Sequence, residues 1–326
     1  MRRREFITLL GGAAAAWPLV VRAEQHTPRV AVLMASANDA DGQARLMAFQ
    51  KGLQELGWRD GENIRLDIRW GAADGDRILA YAEELLNLRP DAILAASGRV
   101  TRVLQQGARE VPIIFVGPVD PIGAGFVESI ARPGGNITGF TSGEGSIAGK
   151  WLQMLKEVAP QTVRVAYIFG PDSPAAAGVQ ALLQNIAPSF GIKLVPAPVR
   201  TAAEIESTVY TFTRQPNGGL VLPLDNTVSV HRELLASLTK RYGIPAISAY
   251  PAFVAAGGLM SYGPDIPNLY LRAASYLDRV LKGAKPTELP VQEPTKYSLA
   301  INLKAAKSLG LTIPQSLRTT ADEVIE

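Results

Sequence analysis

Glu110-Val-Pro-Ile-Ile-Phe-Val-Gly117 and Gly243-Ile-Pro-Ala-Ile-Ser-Ala-Tyr250 follow one pattern, in which a short breaker and a proline precede an apolar run that ends in a polar loop. Apolar runs bounded by turn residues are typical of parallel strands that are buried on both faces. The pattern occurs once in each half of the chain. It therefore predicts two similar α/β lobes and not one large sheet.

Further apolar runs alternate with amphipathic helical stretches around these two segments. The predicted strands are 30–34, 64–68, 92–95 and 111–116 in the first half, and 163–169, 193–195, 219–222 and 244–247 in the second. Apolar stripes at helical spacing lie between them, and Gly57, Gly191 and Gly243 end three of the predicted helices. This alternation predicts an α/β fold with doubly wound parallel sheets and right-handed crossovers.

Turn-rich segments indicate where the chain crosses from one lobe to the other. Residues 133–140 and 257–263 are the first two candidates, and the tail that contains Tyr297 makes a third crossing. These crossings predict a first lobe of residues 28–139 plus 263–289. The second lobe then consists of residues 140–262 plus 290–326.

The N-terminus has the features of a cleaved export signal. Arg2-Arg3-Arg4 precedes an apolar run from Thr8 to Val21 that Gly and Pro interrupt, and Val21-Arg22-Ala23 offers a cleavage site. The run is shorter than the roughly 20 residues that a membrane-spanning helix needs. Residues 1–23 are therefore predicted to be a signal peptide of the twin-arginine type, and the mature protein is predicted to be periplasmic.

Charge and composition exclude several classes of function. The chain has a formal charge of +3, and the four arginines and one glutamate of residues 1–23 account for all of it. The predicted mature protein is neutral overall and lacks the net positive charge typical of nucleic-acid-binding proteins. With no cysteine and two histidines, a metal site, a cofactor and catalytic residues are not expected.

Several motifs in fixed order resemble one protein family. The motifs are Arg132-Pro-Gly-Gly-Asn-Ile-Thr-Gly139, Gly257-Gly-Leu-Met-Ser-Tyr-Gly263, Leu281-Lys-Gly-Ala-Lys-Pro286, Pro294-Thr-Lys-Tyr297, Ile301-Asn-Leu-Lys304 and Ala321-Asp-Glu-Val-Ile325. They resemble the substrate-binding proteins of ABC importers that include tryptophan and tyrosine receptors. The resemblance implies a type I periplasmic-binding-protein fold, in which a hinge of three crossovers joins the lobes and a ligand binds in the cleft. It also implies a monomer that delivers its ligand to an ABC permease with its ATPase.

Polar residues that follow the predicted strands are the candidates for ligand contact, because ligands of open α/β sheets bind beyond the carboxyl ends of the strands. The candidates are Ser36, Asn38, Ser97, Gly98, Thr101, Gly117 and Asp120 in the first lobe, and Asp172, Ser173, Asp225, Asn226, Tyr250 and Tyr262 in the second.

Two of these candidates predict recognition of a zwitterion. Ser97 and the amides after it open a helix and suit a carboxylate, while Asp225 in the opposite lobe suits an ammonium group. Both residues equally suit a helix cap, and Asp120 suits a turn. Tyr250 and Tyr262 suit either an aromatic ligand or core packing. His231 fits a solvated helix face better than a general base.

The leading hypothesis for function is an extracytoplasmic receptor that captures a small solute and performs no chemistry. An amino acid or a small aromatic carboxylate is the expected ligand, and this expectation comes from the resemblance. The alternatives are an exported α/β enzyme and a ligand-sensing module for a signalling partner. The first is disfavoured by the absence of cysteine and the shortage of histidine.

Overall fold

A computed structural model describes residues 27–173 and 176–326, so the predicted signal peptide lies outside the described residues. The strands are β1 (Arg29–Met34), β2 (Arg65–Trp70), β3 (Ala92–Ala96), β4 (Ile113–Val116), β5 (Ile137–Phe140), β6 (Arg164–Phe169), β7 (Lys193–Pro198), β8 (Gly218–Leu222), β9 (Ala246–Ser248), β10 (Met260–Pro264), β11 (Tyr297–Asn302) and β12 (Glu323–Ile325). The helices are α1 (Ala40–Glu55), α2 (Gly75–Asn87), α3 (Gly98–Gly107), α4 (Glu144–Val158), α5 (Ala176–Ile186), α6 (Ala202–Thr213), α7 (Asn226–Val230), α8 (Arg232–Tyr242), α9 (Pro251–Ala255), α10 (Ile266–Leu281), α11 (Leu303–Ser308) and α12 (Gln315–Thr320). Within the described ranges, every helix is too short or too polar to span a lipid bilayer.

The strands form two separate sheets. The first has the order β2-β1-β3-β4-β5 and is parallel throughout. The second has the order β12-β11-β10-β9-β8-β6-β7, and its one antiparallel pair joins β10 to β11. The prediction of an α/β fold with two doubly wound parallel-sheet lobes is therefore confirmed.

The eight predicted strands are present, with small shifts at their ends. The run from Val111 becomes a strand only at Ile113, and the run from Ile244 only at Ala246. In both cases a proline precedes the strand, and a proline has no N–H to give to a sheet. The predicted helix that Gly243 ends differs more, because the chain breaks at His231 into α7 and α8.

Helices cover both faces of each sheet. In the first lobe α1 and α10 pack on one face, and the second face carries buried residues of α2 and α3. The contact between α1 and α10 joins distant parts of the sequence, and the indole N–H of Trp58 donates to Asp278 at 2.9 Å. In the second lobe α4 and α5 cover one face and α6, α8 and α9 the other.

Three crossings join the lobes, and they hydrogen-bond to one another. The first follows β5, the second runs from β10 into α10, and the third leads into β11. The amide of Thr141 donates to Gln292 O at 2.8 Å, and that of Asp265 donates to Lys296 O at 3.0 Å. The hinge is thus a layer of three adjacent backbone segments.

The predicted residue ranges of the two lobes stay a proposal. Strand pairing can be compared with two of their boundaries. Phe140 pairs within the first sheet, one residue beyond the predicted end of that segment. Gly263 and Pro264 pair with β11 in the second sheet, although the prediction placed the return to the first lobe at residue 263. Strand pairing therefore puts each boundary one or two residues later along the chain.

Candidate ligand-binding site

A cavity of about 330 Å³ lies between the lobes and is lined by residues from both of them. This volume is within the usual range of small-molecule sites. Most of the lining residues follow the carboxyl ends of strands, as expected for open α/β sheets. The cavity brings together ten of the thirteen sequence candidates: Ser36, Ser97, Gly98, Gly117, Asp120, Asp172, Ser173, Asp225, Asn226 and Tyr250.

Three candidates do not line the cavity. Asn38 is exposed and its side-chain oxygen accepts from the Gln43 amide group. Thr101 is fully buried, and its hydroxyl donates to Ser97 O at 2.7 Å. Tyr262 lies on β10 against the core of the second lobe and stacks on Tyr297 with ring centroids 5.9 Å apart. Each of these side chains makes a structural contact and lies outside the cavity lining, and the predicted ligand contact stays a prediction.

Ser97 combines a cap with a strained backbone. Its hydroxyl accepts from the Val100 amide at 3.2 Å, which makes it the N-cap of α3. Its φ is 152° and its ψ is 166°, a region that glycine occupies almost alone. Helix geometry leaves the amides of Gly98 and Arg99 without acceptors inside α3. The cap and the anion site proposed for this turn are therefore compatible.

Two arginines of the cavity were missed as candidates. Arg45 and Arg99 are half-buried, and neither has a carboxylate within ion-pair distance among the described residues. The Arg99 guanidinium donates to Ala73 O at 3.3 Å, which holds it beside the start of α2. Arg99 still lies within coulombic range of Asp74, and Asp120 also lines this side of the cavity, so the two guanidinium groups are partly offset by acidic neighbours. Each guanidinium group nevertheless keeps N–H donors that a ligand carboxylate can engage.

Asp225 is the N-cap of α7, and its side chain is buried. Its Oδ1 accepts from the amides of Thr227 at 2.8 Å and Val228 at 3.2 Å. Burial raises the pKa of the Asp225 carboxyl, and the backbone hydrogen bonds, including one from Gly170, oppose this only in part. A Cβ on Gly170 would lie 3.2 Å from Asp225 Oδ1 and 2.6 Å from Thr227 Oγ1, so glycine permits the close approach. The cap reading of Asp225 is thus correct, and the same residue lines the cavity.

The remaining acidic candidates make local contacts. Asp172 forms an ion pair with Arg200 at 3.3 Å, and because both side chains are exposed, the pair contributes little to stability. Asp120 Oδ1 accepts from the Gly123 amide at 2.8 Å, so it fixes a turn as the sequence allowed. Each of these residues still borders the cavity. Whether they touch a ligand stays a prediction.

Aromatic side chains occupy part of the lining. Tyr250 precedes α9, Tyr270 comes from α10, and Phe126 follows β4. Full burial raises the pKa of Tyr270 to about 12, so this phenol stays neutral at physiological pH. His231 lies between α7 and α8 and also lines the cavity, in contrast to the solvated helix face that its sequence suggested.

Residues 29–325 match the family model of ABC transporter substrate-binding proteins. The chain belongs to this family. The match covers almost all of the described residues, and it agrees with the two-lobed fold and with the cavity between the lobes. The chain is therefore a substrate-binding protein of the ABC transporter type, with a type I periplasmic-binding-protein fold, and not an enzyme.

Three known proteins are similar to this chain over most of its length. A tyrosine-binding protein of Clostridioides difficile strain R20291 is 25% identical over 263 residues, which cover 81% of this chain and 75% of the relative. A domain of Streptococcus pneumoniae solved in complex with L-Trp is 25% identical, with a TM-score of 0.85 over 92% of this substrate-binding protein and 100% of that chain. A conserved domain protein of Vibrio cholerae has the same identity and TM-score, over 91% and 99% of the two chains.

Proposed function

We propose that this substrate-binding protein captures an amino acid, with an aromatic amino acid as the favoured class, and delivers it to an ABC permease. The observation that carries the proposal is the distribution of charge in the cavity. Arg45, Arg99 and the start of α3 lie on the first-lobe side, and the Asp225 carboxyl lies on the second-lobe side. A zwitterion placed between them meets opposite charges at its two ends.

The relatives support the same class of ligand. One is named as a tyrosine-binding protein, and another was solved with L-Trp. The aromatic lining formed by Phe126, Tyr250 and Tyr270 suits a ring of this kind. A ligand held from both lobes stabilises their closed arrangement, because only that arrangement offers both sets of contacts. A permease that recognises the closed form then receives loaded protein in preference to empty protein.

A thermal-shift screen of residues 24–326 tests the ligand class. The panel contains the twenty amino acids, aromatic acids without an amine, sugars and amides. We expect aromatic amino acids to raise the melting temperature most, since a ligand at 100 times its Kd stabilises the folded state by about 2.7 kcal/mol. If sugars alone shift the melting curve, the amino-acid assignment is wrong and the family assignment is unaffected.

Export is part of the proposal and has its own test. We expect a periplasmic monomer that begins at Glu24, because Val21-Arg22-Ala23 offers the cleavage site. Intact-mass measurement of the protein from the periplasmic fraction checks the start, and size-exclusion chromatography with light scattering checks the monomer. Arg3→Lys combined with Arg4→Lys is expected to leave precursor in the cytoplasm. Normal export of this variant would indicate the general secretory route.

A further inference from the structure

The order of strands fixes how far the charged groups lie from the hinge. In the first sheet β3 is two positions from β5, which enters the first crossing, and in the second sheet β8 is two positions from β10, which enters the second. Ser97 follows β3 and Asp225 follows β8. At about 4.8 Å per strand, both lie about 10 Å from the hinge. A group bound between them therefore leaves room on the hinge side of the cavity.

That hinge side includes apolar and aromatic residues, and the charged residues Asp120, which follows β4 beside β5, and Arg45, which lies near Tyr270, border it. Tyr250 follows β9, the neighbour of β10, while Ile266 and Tyr270 lie in the first turns of α10, directly after the second crossing. The charged residues Arg200 and Asp172 follow β7 and β6, at the opposite end of the second sheet. If the α-amino and carboxyl groups of an amino acid bind between Ser97 and Asp225, its side chain points towards the hinge.

Ser142 is a buried polar residue at the hinge end. It lies in the first crossing, lines the cavity and is 0% exposed. Its hydroxyl has no hydrogen-bond partner among the described residues. Its amide donates to Pro118 O at 3.1 Å, which fixes the backbone that carries the hydroxyl. Buried hydroxyl groups nearly always have a partner, so this one is available to a ligand.

We propose that Ser142 is a specificity-determining residue, whose hydroxyl hydrogen-bonds a polar group on the ring of an aromatic amino acid. A phenol O–H or an indole N–H is such a group, and a phenyl ring has none. This inference rests on the proposed function. It adds that tyrosine and tryptophan are bound in preference to phenylalanine, because phenylalanine leaves the buried hydroxyl unpaired.

Ser142→Ala tests the inference by isothermal titration calorimetry with L-tyrosine, L-tryptophan and L-phenylalanine. The wild-type protein is expected to bind tyrosine up to about tenfold more tightly than phenylalanine, since one net hydrogen bond contributes about 0.5–1.5 kcal/mol and ~1.4 kcal/mol is tenfold in affinity. In the variant the tyrosine affinity falls by about that factor, and the phenylalanine affinity stays the same or rises. The melting temperature of the ligand-free variant stays at or above the wild-type value, because the hydroxyl that is lost has no partner.

Thr141→Ala is the matched control. Thr141 is the neighbour of Ser142 in the first crossing, and its buried hydroxyl also has no partner among the described residues, but it does not line the cavity. Its removal is expected to leave all three affinities unchanged. An equal loss of tyrosine affinity in both variants would show a general effect on the hinge and would overturn the role of Ser142.

The outcomes separate this inference from the proposed function. If tyrosine binds and Ser142→Ala leaves the ratio of tyrosine to phenylalanine affinity unchanged, the role of Ser142 is wrong and the aromatic ligand stands. If phenylalanine alone binds the wild-type protein, the role of Ser142 is wrong and the aromatic ligand stands. If none of the three amino acids binds, the role of Ser142 and the aromatic ligand class are both wrong. Membership of the substrate-binding family is unaffected by any of these results.

Discussion

Asp225→Asn is expected to weaken the binding of a zwitterionic amino acid by well over tenfold while lowering the stability of the free protein less than Asp225→Ala does. Asparagine is as good an N-cap as aspartate, so its oxygen can still accept from the amides of Thr227 and Val228. The substitution removes the charge, and it also replaces one acceptor oxygen by an NH2 group in a pocket where the carboxyl accepts from Gly170 and from the Thr227 side chain. Losing one partner of a buried charge pair costs about 2–5 kcal/mol, and each ~1.4 kcal/mol is tenfold in affinity.

Two further variants separate the cap from the charge. Asp225→Ala removes both, so it is expected to lose affinity and also to melt earlier than the wild-type protein. Asn302→Ala removes a buried cap of the same lobe, since Asn302 Oδ1 accepts from the Ala305 amide at 2.9 Å at the start of α11. It is expected to melt earlier with unchanged affinity. Calorimetry and thermal unfolding of the three variants measure both quantities. Full affinity in Asp225→Asn would leave Asp225 with a capping role alone.

The raised pKa of Asp225 also predicts how ligand affinity and protein stability depend on pH. An ammonium group binds to the ionised carboxylate, so affinity is expected to fall as the pH falls through the raised folded-state pKa. The contribution of Asp225 to the stability of the free protein depends on pH in the opposite direction. Its protonated form is favoured more in the folded state than in the unfolded state, so this contribution increases as the pH falls through the same window. Both trends are expected to disappear in Asp225→Asn.

Arg99→Gln is expected to produce the second large loss of affinity. The Arg99 guanidinium is held beside the start of α2 by its bond to Ala73 O, and it has no carboxylate within ion-pair distance among the described residues, although Asp74 lies within coulombic range. A ligand carboxylate therefore has a charge-assisted contact to gain there, and its loss costs about 2–5 kcal/mol. Comparing L-tyrosine with L-tyrosinamide by calorimetry isolates this contact. The wild-type protein is expected to prefer the acid strongly, and the variant to bind the two probes with similar affinity.

Arg77→Gln is the control for Arg99→Gln. Arg77 is an exposed residue of α2 in the same lobe and does not line the cavity. Its removal changes the charge of the lobe equally and is expected to leave the preference for the acid intact. If Arg99→Gln behaves like this control, the carboxylate is held elsewhere, and Arg45 together with the α3 amides becomes the leading anion site.

Local sequence patterns predicted the fold correctly, and they selected residues that lie in the cavity lining. Ser97 and Asp225 directly follow apolar runs, and such runs become parallel strands whose carboxyl ends meet in the cleft. The pattern could not place Tyr262. It lies within β10, before the crossing, and packs against Tyr297 of a strand that pairs antiparallel to it. A residue predicted near the end of a strand therefore need not line the cavity.

Most of the cavity residues that the sequence did not indicate come from segments far apart along the chain. Arg45 and Tyr270 lie on α1 and α10, and they reach the cavity because these helices pack on one face of the first sheet, although they are far apart in sequence. Ser142 is distinguished only by burial without a partner, which no motif encodes. Arg99 was the exception, since it lies two residues after Ser97 in the loop that the sequence singled out. Its unpaired charge became visible only in the assembled cavity.

The packing of α10 on α1 has a consequence for how the protein is made. The first lobe is complete only when residues 266–281 are available to cover its sheet, and the whole of the β6–β9 region must be synthesised before them. A nascent chain that has released only its N-terminal half therefore exposes the apolar face that Leu46, Phe49 and Leu53 later bury with α10. Folding of this lobe must wait for most of translation. A route that carries folded cargo across the membrane after synthesis suits such a discontinuous lobe.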